Sequence, residues 1–435
     1  MNGNELYSAT SADRNASFPR PRFLTGIFLF YFMVTVTGFS NEFSIPKPTG
    51  AHQVGTEYFY FVDQSRPESF TKSKSDFREV TGQVWYPATP AADANPQFYR
   101  SNEETDILSA VEAAYFGLLV NKVPADLFSH FSTVPTHSHT KAPLADSPSA
   151  FPVLIYSHGI IGGHVATHTV LMEELASHGY IVLSVSHAYQ TPYLKYPDGS
   201  IKVFSPGSEG IRKSAAAIFD SERTAIYQKL YETTDVKTQK ALLEQLASKQ
   251  PFLEESLDIW SADVRFIIDE LEKLNSGNTF LKGRLDLDRI GVLGWSFGGA
   301  TAGQVLLTDS RCKAGINIDG LPLGDLVHQK IQQPFMFMRN GSRDMVQYFV
   351  DQIANDAYVV KLNGSTHFSF TDMALYNIPE VDQICGDIDG RQAVSIVNYY
   401  VRSFFDKYLK GKNISLSAGE VFPDSEIEFQ FQAKG

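Results

Sequence analysis

The sequence contains little cysteine and no excess of basic residues, and both shortages narrow the functions open to it. Only Cys312 and Cys385 occur among 435 residues. A disulfide between them is conceivable in an oxidising compartment, but two cysteines do not make a disulfide scaffold. Neither lies at metal-ligand spacing from histidines, so no metal or other cofactor is expected. With 37 Lys and Arg against 49 Asp and Glu, a nucleic-acid partner and simple electrostatic docking on anionic lipid are both disfavoured.

The first segment with a clear character is an apolar run at residues 23–39, which follows an arginine-containing stretch. A basic flank before an apolar stretch is the layout of a secretory signal. The leader is long for a signal, however, and the run is near the lower length for a membrane span. Residues 1–45 are therefore predicted to be a signal peptide or a membrane anchor, with a buried core helix as the third alternative. The first two readings predict a secreted, periplasmic or otherwise extracytoplasmic protein.

Residues 46–435 are predicted to form a single α/β catalytic domain. Aromatic and β-branched runs at 58–62 and 80–86 predict two strands. An irregular stretch follows, in which residues 107–120 have helical spacing. Short apolar runs then alternate with helical segments, which predicts a mostly parallel central sheet covered by helices. The strands predicted in this part are residues 153–156, 180–185, 290–293, 314–318, 334–338 and 357–362.

A helical insertion at about 205–275 interrupts the alternation of strands and helices. Residues 211–275 have no strand signal and are predicted to form two or three helices. The insertion would lie near the carboxyl ends of the strands, where ligands bind in open α/β sheets. It is therefore either a lid or pocket wall, or an enlarged crossover between two strands.

The segment GWSFGG at residues 294–299 fits the G-x-S-x-G pattern of a nucleophile elbow. In that turn the serine stands on a strained backbone between a strand and a helix, and close packing excludes side chains at the flanking positions. The context agrees, because a buried-type strand is predicted before Ser296 and small residues begin a helix after it. Ser296 is therefore predicted to be the nucleophile of a serine ester hydrolase with the α/β-hydrolase fold.

A serine hydroxyl needs a base and an orienting acid to act as a nucleophile. In this fold the chain order is serine, acid, histidine, and only His328 and His367 of the eleven histidines follow Ser296. His367 lies in a loop directly after a strong strand, whereas His328 lies in a predicted helix, so His367 is the predicted base. Asp319 and Asp344 both follow strands, and the spacing alone does not separate them as the acid.

The oxyanion that forms in ester hydrolysis needs two backbone N–H donors. One is predicted at Phe297, directly after the nucleophile. The other is predicted at Ile160, in the loop SHGIIGG at residues 157–163 that follows an earlier strand. Gly159 would allow that loop to turn.

Three segments carry a resemblance to a known family: VLIYSHG at 153–159, ELASHGYIV at 174–182 and GWSFGG. In this order they resemble the plasma-type platelet-activating factor acetylhydrolases, the lipoprotein-associated phospholipase group. In that family the triad acid ends the strand after the elbow helix and is followed by a segment similar to PLGD. Asp319 begins the segment DGLPLGD at residues 319–325, so the resemblance implies Asp319 rather than Asp344. The family usually has His at the position of Trp295.

The resemblance also implies a function. It implies a calcium-independent serine esterase that removes short or oxidised acyl chains from the second position of phosphoglycerolipids. The expected partner is thus a phospholipid or small ester, with contact to a membrane or lipid surface. The alternatives are a secreted esterase for polymers or small esters, and an inactive hydrolase fold that serves in binding.

Overall fold

The computed structural model describes residues 43–117, 126–342, 346–417, 421–423 and 425–433. All of them belong to one compact unit, residues 40–435. The apolar run at 23–39 and the alternative acid Asp344 lie outside these ranges, and so do residues 118–120 of the predicted helix. Within the described ranges, no helix has both the length and the apolar character that a membrane span requires.

Twelve strands are present in the described part of the chain, and ten of them form one sheet in the order β12-β11-β10-β9-β8-β4-β5-β2-β1-β3. The six strands from β5 to β11 in this order are parallel to one another. Strand β2 runs antiparallel to both β5 and β1, and β12 runs antiparallel to β11 at the edge of the sheet. The strands are β1 Gln53–Pro67, β2 Phe77–Ala88, β3 Ser138–Thr140, β4 Phe151–Ser157, β5 Ile181–His187, β6 Tyr193–Lys195, β7 Ile201–Val203, β8 Leu285–Trp295, β9 Cys312–Ile318, β10 Phe335–Asn340, β11 Ala357–Leu362 and β12 Ile427–Gln432.

Helices cover both faces of this sheet. The described α-helices are α1 Asn102–Phe116, α2 Thr169–Ser177, α3 Glu209–Ile218, α4 Ser221–Glu232, α5 Val236–Lys249, α6 Pro251–Ser276, α7 Phe297–Thr308, α8 Gln347–Asp351, α9 Pro379–Asp382 and α10 Gly390–Tyr408. Strand β4 shows how the core divides, since successive side chains of a strand point to opposite faces. Val153 and Ile155 pack in the cluster that contains α6 and α7 side chains. Leu154 and Tyr156 pack in the cluster that contains α2 and α10 side chains.

The observed architecture confirms the predicted mostly parallel α/β sheet, and each predicted strand coincides with an observed one. Three helix predictions were inexact for local reasons. Helix α1 begins earlier than predicted because Ser101 and Glu104 form a capping box. The insertion contains four helices, α3 to α6, rather than two or three, since Asp220 and Asp235 each cap the N-terminus of a new helix.

The third inexact prediction concerns His328. It follows the short 3₁₀ turn Gly324–Val327 rather than lying within a helix. The two cysteines, for which a disulfide was conceivable, are both buried and free.

Candidate active site

Ser296 occupies the turn between β8 and α7, at the carboxyl end of a central strand. Its backbone has φ 58° and ψ −122°, a left-handed conformation that side-chain-bearing residues rarely adopt. The Ser296 N–H donates to the carbonyl of Ile318 at 2.8 Å. A Cβ at Gly294 would overlap the carbonyl of Gly298, and one at Gly298 would overlap the carbonyl of Ser157. The motif glycines are therefore required by close backbone packing around the strained serine.

His367 connects Ser296 to Asp319 through two hydrogen bonds. Its Nε2 lies 3.0 Å from the Ser296 Oγ, and its Nδ1 lies 2.6 Å from Asp319 Oδ2. A carboxylate only accepts, so the Nδ1–H donates to Asp319 and leaves Nε2 to accept from the serine hydroxyl. This is the hydrogen-bond order that activates a serine nucleophile.

Two residues at the end of strand β10, Arg339 and Asn340, stabilise the ionised form of Asp319. Its side chain is almost fully buried, and its own φ is 55°. The Asn340 side-chain amide donates to both carboxylate oxygens at 2.9 and 2.7 Å, and the Asn340 backbone N–H donates at 3.0 Å. Burial opposes ionisation of Asp319, but Arg339 at 3.6 Å, together with His367 and Asn340, outweighs it and lowers the pKa to about 2. The acid is thus ionised throughout the neutral range.

Trp295, directly before the nucleophile, holds the histidine from the side. Its indole ring stacks on the imidazole of His367, with ring centroids 4.7 Å apart and planes inclined by 26°. Its Nε1–H donates to the His367 carbonyl at 3.0 Å. Trp295 therefore contacts both the ring and the backbone of His367.

The two residues predicted to donate to an oxyanion belong to two different segments that meet near the serine. Phe297 begins α7, and Ile160 lies in the loop after β4. A Cβ at Gly159 would lie 2.6 Å from the Trp295 ring and 3.1 Å from the Ser296 Cβ, so this loop approaches the nucleophile as closely as glycine allows. Among the described residues, neither the Ile160 nor the Phe297 N–H donates to a backbone carbonyl, which leaves both available to an oxyanion.

An apolar pocket is lined in part by Trp295 and Phe368, the chain neighbours of Ser296 and His367. Its lining includes one imidazole, that of His164, whose Nδ1 accepts from the Ala166 N–H. Five of the lining residues are Phe, Tyr or Trp, and such a lining favours binding of an apolar part of a ligand. The pocket is lined by Tyr115, Phe128, Ile161, Gly162, His164, Pro192, Trp295, Phe368, Met373 and Tyr376.

Some side chains of the site were not found from the sequence. Arg339 and Asn340 end strand β10, and polar residues at the end of an otherwise apolar strand are the signal that was available. Arg339 also donates to the Tyr231 hydroxyl at 2.8 Å, and Tyr231 belongs to α4 of the helical insertion. The described residues contain no cluster of three or more His, Cys, Asp or Glu arranged to hold a metal ion.

The chain is similar to known proteins over most of its length. Residues 37–418 match the family model described as platelet-activating factor acetylhydrolase, isoform II. Two relatives named platelet-activating factor acetylhydrolase, from Cavia porcellus and Canis lupus familiaris, are each 26% identical. The matches cover 86% and 84% of this chain, and 80% and 77% of those proteins. A protein of Arthroderma benhamiae named probable 1-alkyl-2-acetylglycerophosphocholine esterase is 27% identical over 32% of this chain and 43% of its own length.

A solved structure supports the fold. The ferulic acid esterase of Streptomyces cinnamoneus superposes with a TM-score of 0.64 at 23% identity, covering 89% of this chain and 98% of that one. The family match confirms the resemblance inferred from the three sequence segments. The chain belongs to the family of platelet-activating factor acetylhydrolase, isoform II.

Proposed function

We propose that this carboxylic ester hydrolase removes short acyl groups from phospholipids through a covalent acyl-enzyme on Ser296. Membership of the family supports ester hydrolysis, and the names of the relatives refer to acetyl esters of glycerophosphocholine type. The observation that carries the proposal is the continuous hydrogen-bonded set Ser296–His367–Asp319 beside an apolar pocket. The triad roles, with Asp319 as the acid, are part of this proposal.

The reaction proceeds in two halves. The Ser296 oxygen attacks the ester carbonyl carbon while its proton passes to His367 Nε2, and Asp319 stabilises the resulting imidazolium. The N–H groups of Ile160 and Phe297 bind the oxyanion. Collapse of the tetrahedral intermediate breaks the bond to the alcohol oxygen, which takes the proton from His367.

Deacylation repeats these steps with water. His367 accepts a proton from water as the water oxygen attacks the acyl carbon of the ester on Ser296. The second tetrahedral intermediate then collapses, Ser296 regains its proton from His367, and the carboxylic acid leaves.

The residues that line the apolar pocket favour a short acyl group as the part of the substrate that binds there. Tyr115, Phe128 and Tyr376 are among the side chains that line it, and its described lining contains no Asp, Glu, Lys or Arg side chain that could pair with a charged head group. The head group of a phospholipid would then remain outside the pocket. The same observation favours a second candidate, an esterase for small soluble esters, which needs no lipid surface.

Covalent labelling tests the chemistry. A fluorophosphonate probe should label the purified protein and should fail on Ser296→Ala, while Ser276→Ala, an exposed serine at the end of α6, should label normally. Wild-type protein that neither labels nor hydrolyses p-nitrophenyl acetate would point instead to an inactive fold used in binding.

Substrate comparison separates the two enzymatic candidates. Hydrolysis of short-chain phosphatidylcholine should exceed that of soluble acetate esters by kcat/KM, and the rate should fall as the acyl chain lengthens. If soluble esters are strongly preferred at every chain length, the small-ester candidate replaces the phospholipid one.

Location and lipid contact complete the proposal. The basic flank and the apolar run at residues 23–39 support an extracytoplasmic enzyme that meets its substrate at a membrane or lipid surface. Cell fractionation of the full chain, compared with a chain that begins at residue 46, should show that only the full chain leaves the cytosol. Equal distribution of both chains would contradict this part.

A further inference from the structure

A second serine, histidine and aspartate lie in hydrogen-bonding order beneath the oxyanion loop. His187 Nδ1 is 2.9 Å from Asp263 Oδ2, and His187 Nε2 is 3.1 Å from the Ser157 Oγ. Arg78 contacts both Asp263 oxygens, at 3.0 and 2.7 Å. All of these side chains are buried, and the Ser157 carbonyl lies against Gly298 with no room for a substrate. This set is therefore not a second nucleophile, and its role depends on what it contacts.

His158 links this buried set to the oxyanion loop. Its Nε2 lies 3.3 Å from the backbone nitrogen of His187, and its Nδ1 lies 2.8 Å from the carbonyl oxygen of Gly159. A backbone N–H can only donate, so Nε2 is the acceptor and Nδ1 carries the hydrogen that goes to Gly159. Burial, together with the nearby His187, holds the pKa of His158 well below its usual range. The ring is thus neutral, with a defined tautomer.

The carbonyl that His158 holds belongs to the peptide whose N–H is the Ile160 donor. A peptide group is planar, and in the trans form its C=O and N–H point in opposite directions. No cis peptide bond occurs in the described ranges. A hydrogen bond to the Gly159 oxygen therefore fixes the direction of the Ile160 N–H, and it also polarises that N–H as a donor.

Helix α6 of the insertion supports the other side of the same arrangement. The Trp260 ring stacks on His187, with centroids 3.8 Å apart and planes inclined by 9°. The Trp260 and Phe297 rings are nearly perpendicular, with centroids 5.0 Å apart and planes inclined by 87°. Trp260 is held in turn by its Nε1–H, which donates to the Gln190 side chain at 2.8 Å. One buried side chain of α6 thus contacts the histidine behind the loop and the residue that supplies the second oxyanion donor.

We infer that His158 is a positioning residue that orients the Ile160 N–H toward the oxyanion, and that Asp263, His187 and Trp260 hold His158 for this purpose. The inference rests on the proposed function, because only an acyl-transfer reaction forms that oxyanion. It also gives the insertion a role beyond a lid or a crossover, as the scaffold behind the oxyanion hole.

Two amide substitutions separate positioning from simple structural support. In His158→Asn the amide nitrogen is bonded to Cγ, as Nδ1 is, so it can still donate to the Gly159 carbonyl. In His158→Gln the amide extends to the Nε2 position and this donor is lost. We expect the Gln variant to lose about a hundredfold in kcat with little change in KM, the order found when an oxyanion donor is removed. The Asn variant should stay within about tenfold of wild type.

An inhibitor that forms the oxyanion gives a second readout. An alkyl trifluoromethyl ketone adds to Ser296 as a charged tetrahedral hemiketal, so its Ki should rise in parallel with the loss of kcat in each variant. Tyr180→Phe is the matched control, because it removes a buried hydrogen bond to Asp406 at 2.9 Å that is remote from the site. It should lower Tm while leaving kcat and Ki unchanged.

The outcomes are distinct. Equal losses in the Asn and Gln variants, or losses confined to KM, would overturn the inference. If the Gln variant does not fold, the Asn variant alone decides, since a hundredfold loss of kcat at wild-type Tm contradicts positioning and retention within about tenfold supports it. Failure of the wild-type protein to label or turn over would instead overturn the proposed function.

Discussion

Trp295 offers the most direct test of how the triad is held in place. Two contacts join it to His367, the indole N–H to the backbone carbonyl at 3.0 Å and the ring stack at 4.7 Å. The hydrogen bond contributes about 1 kcal/mol and the stack about 1 kcal/mol. Trp295→Phe retains a ring and loses only the N–H, so kcat should fall by about fivefold. Trp295→Leu loses both contacts, about 2 kcal/mol, and should reduce kcat by about 30-fold.

The assay is steady-state hydrolysis of p-nitrophenyl acetate, well below the Tm of every variant. Trp85→Phe is the control, because Trp85 is also a buried tryptophan but lies on β2, far along the sheet from the triad. It should lower Tm with no effect on kcat. If Trp295→Leu keeps kcat within twofold of wild type, the reasoning is refuted. It is also refuted if the substitution changes only KM, and only for esters with longer acyl chains, because Trp295 would then serve only as a wall of the pocket.

Four further outcomes are expected. Asp319→Asn should lower kcat by about 10³- to 10⁴-fold, as loss of a triad acid does. Asn340→Ala should lower kcat by about tenfold, because the two hydrogen bonds from the Asn340 side-chain amide to Asp319 are lost. Steady-state kinetics measures both effects. The pKa of Asp319, about 2 in the folded protein, lies below its ordinary value. The ionised carboxylate therefore stabilises the folded state above about pH 4, and this contribution is lost as the pH falls toward 2. Urea unfolding should show that the free energy of unfolding decreases by roughly 2 kcal/mol over that interval in wild type but not in Asp319→Asn. Burial raises the pKa of Glu173 to about 7, although hydrogen bonds from the segment around Ser138 act to lower it. Between about pH 4.5 and 7 the folded state therefore holds a proton on Glu173 that the unfolded state has released. The free energy of unfolding should fall by roughly 3 kcal/mol over that interval in wild type but not in Glu173→Gln. A pH-independent free energy of unfolding between those values in wild type would contradict the last expectation.

Much of the proposed reaction centre could be predicted from the sequence because its parts follow local rules. The elbow at Ser296 is a short motif with a steric cause, and the chain order of the fold singled out His367. Asp319 was different, since Asp319 and Asp344 stand in similar places after strands. Only the family resemblance favoured Asp319. Its contacts with His367 and with the Asn340 side chain at the end of the next strand are long-range, so spacing in the sequence could not reveal them.

The support behind the site was not readable in the same way. Asp263 and His187 are 76 positions apart in the chain and hydrogen-bond across the fold. Nothing in the local pattern of α6 distinguishes Asp263 from a solvated acid on a helix. Likewise, Asp220 and Asp235 are ordinary polar residues until their side chains cap new helices. Long-range pairing and capping depend on tertiary placement, which periodicity does not encode.

The apolar pocket and the insertion have different origins in the chain, and this separation bears on how the family can diversify. Tyr115 comes from α1, and Phe368 and Tyr376 come from the segment after His367. The side chains that support the reaction centre from behind, Trp260 and Asp263, come from α6. Substitutions in α1 and in the segment after His367 can therefore reshape acyl preference while α6 stays under constraint. Recombination that exchanges α1 and the segment after His367 between relatives should transfer substrate choice and leave turnover chemistry intact.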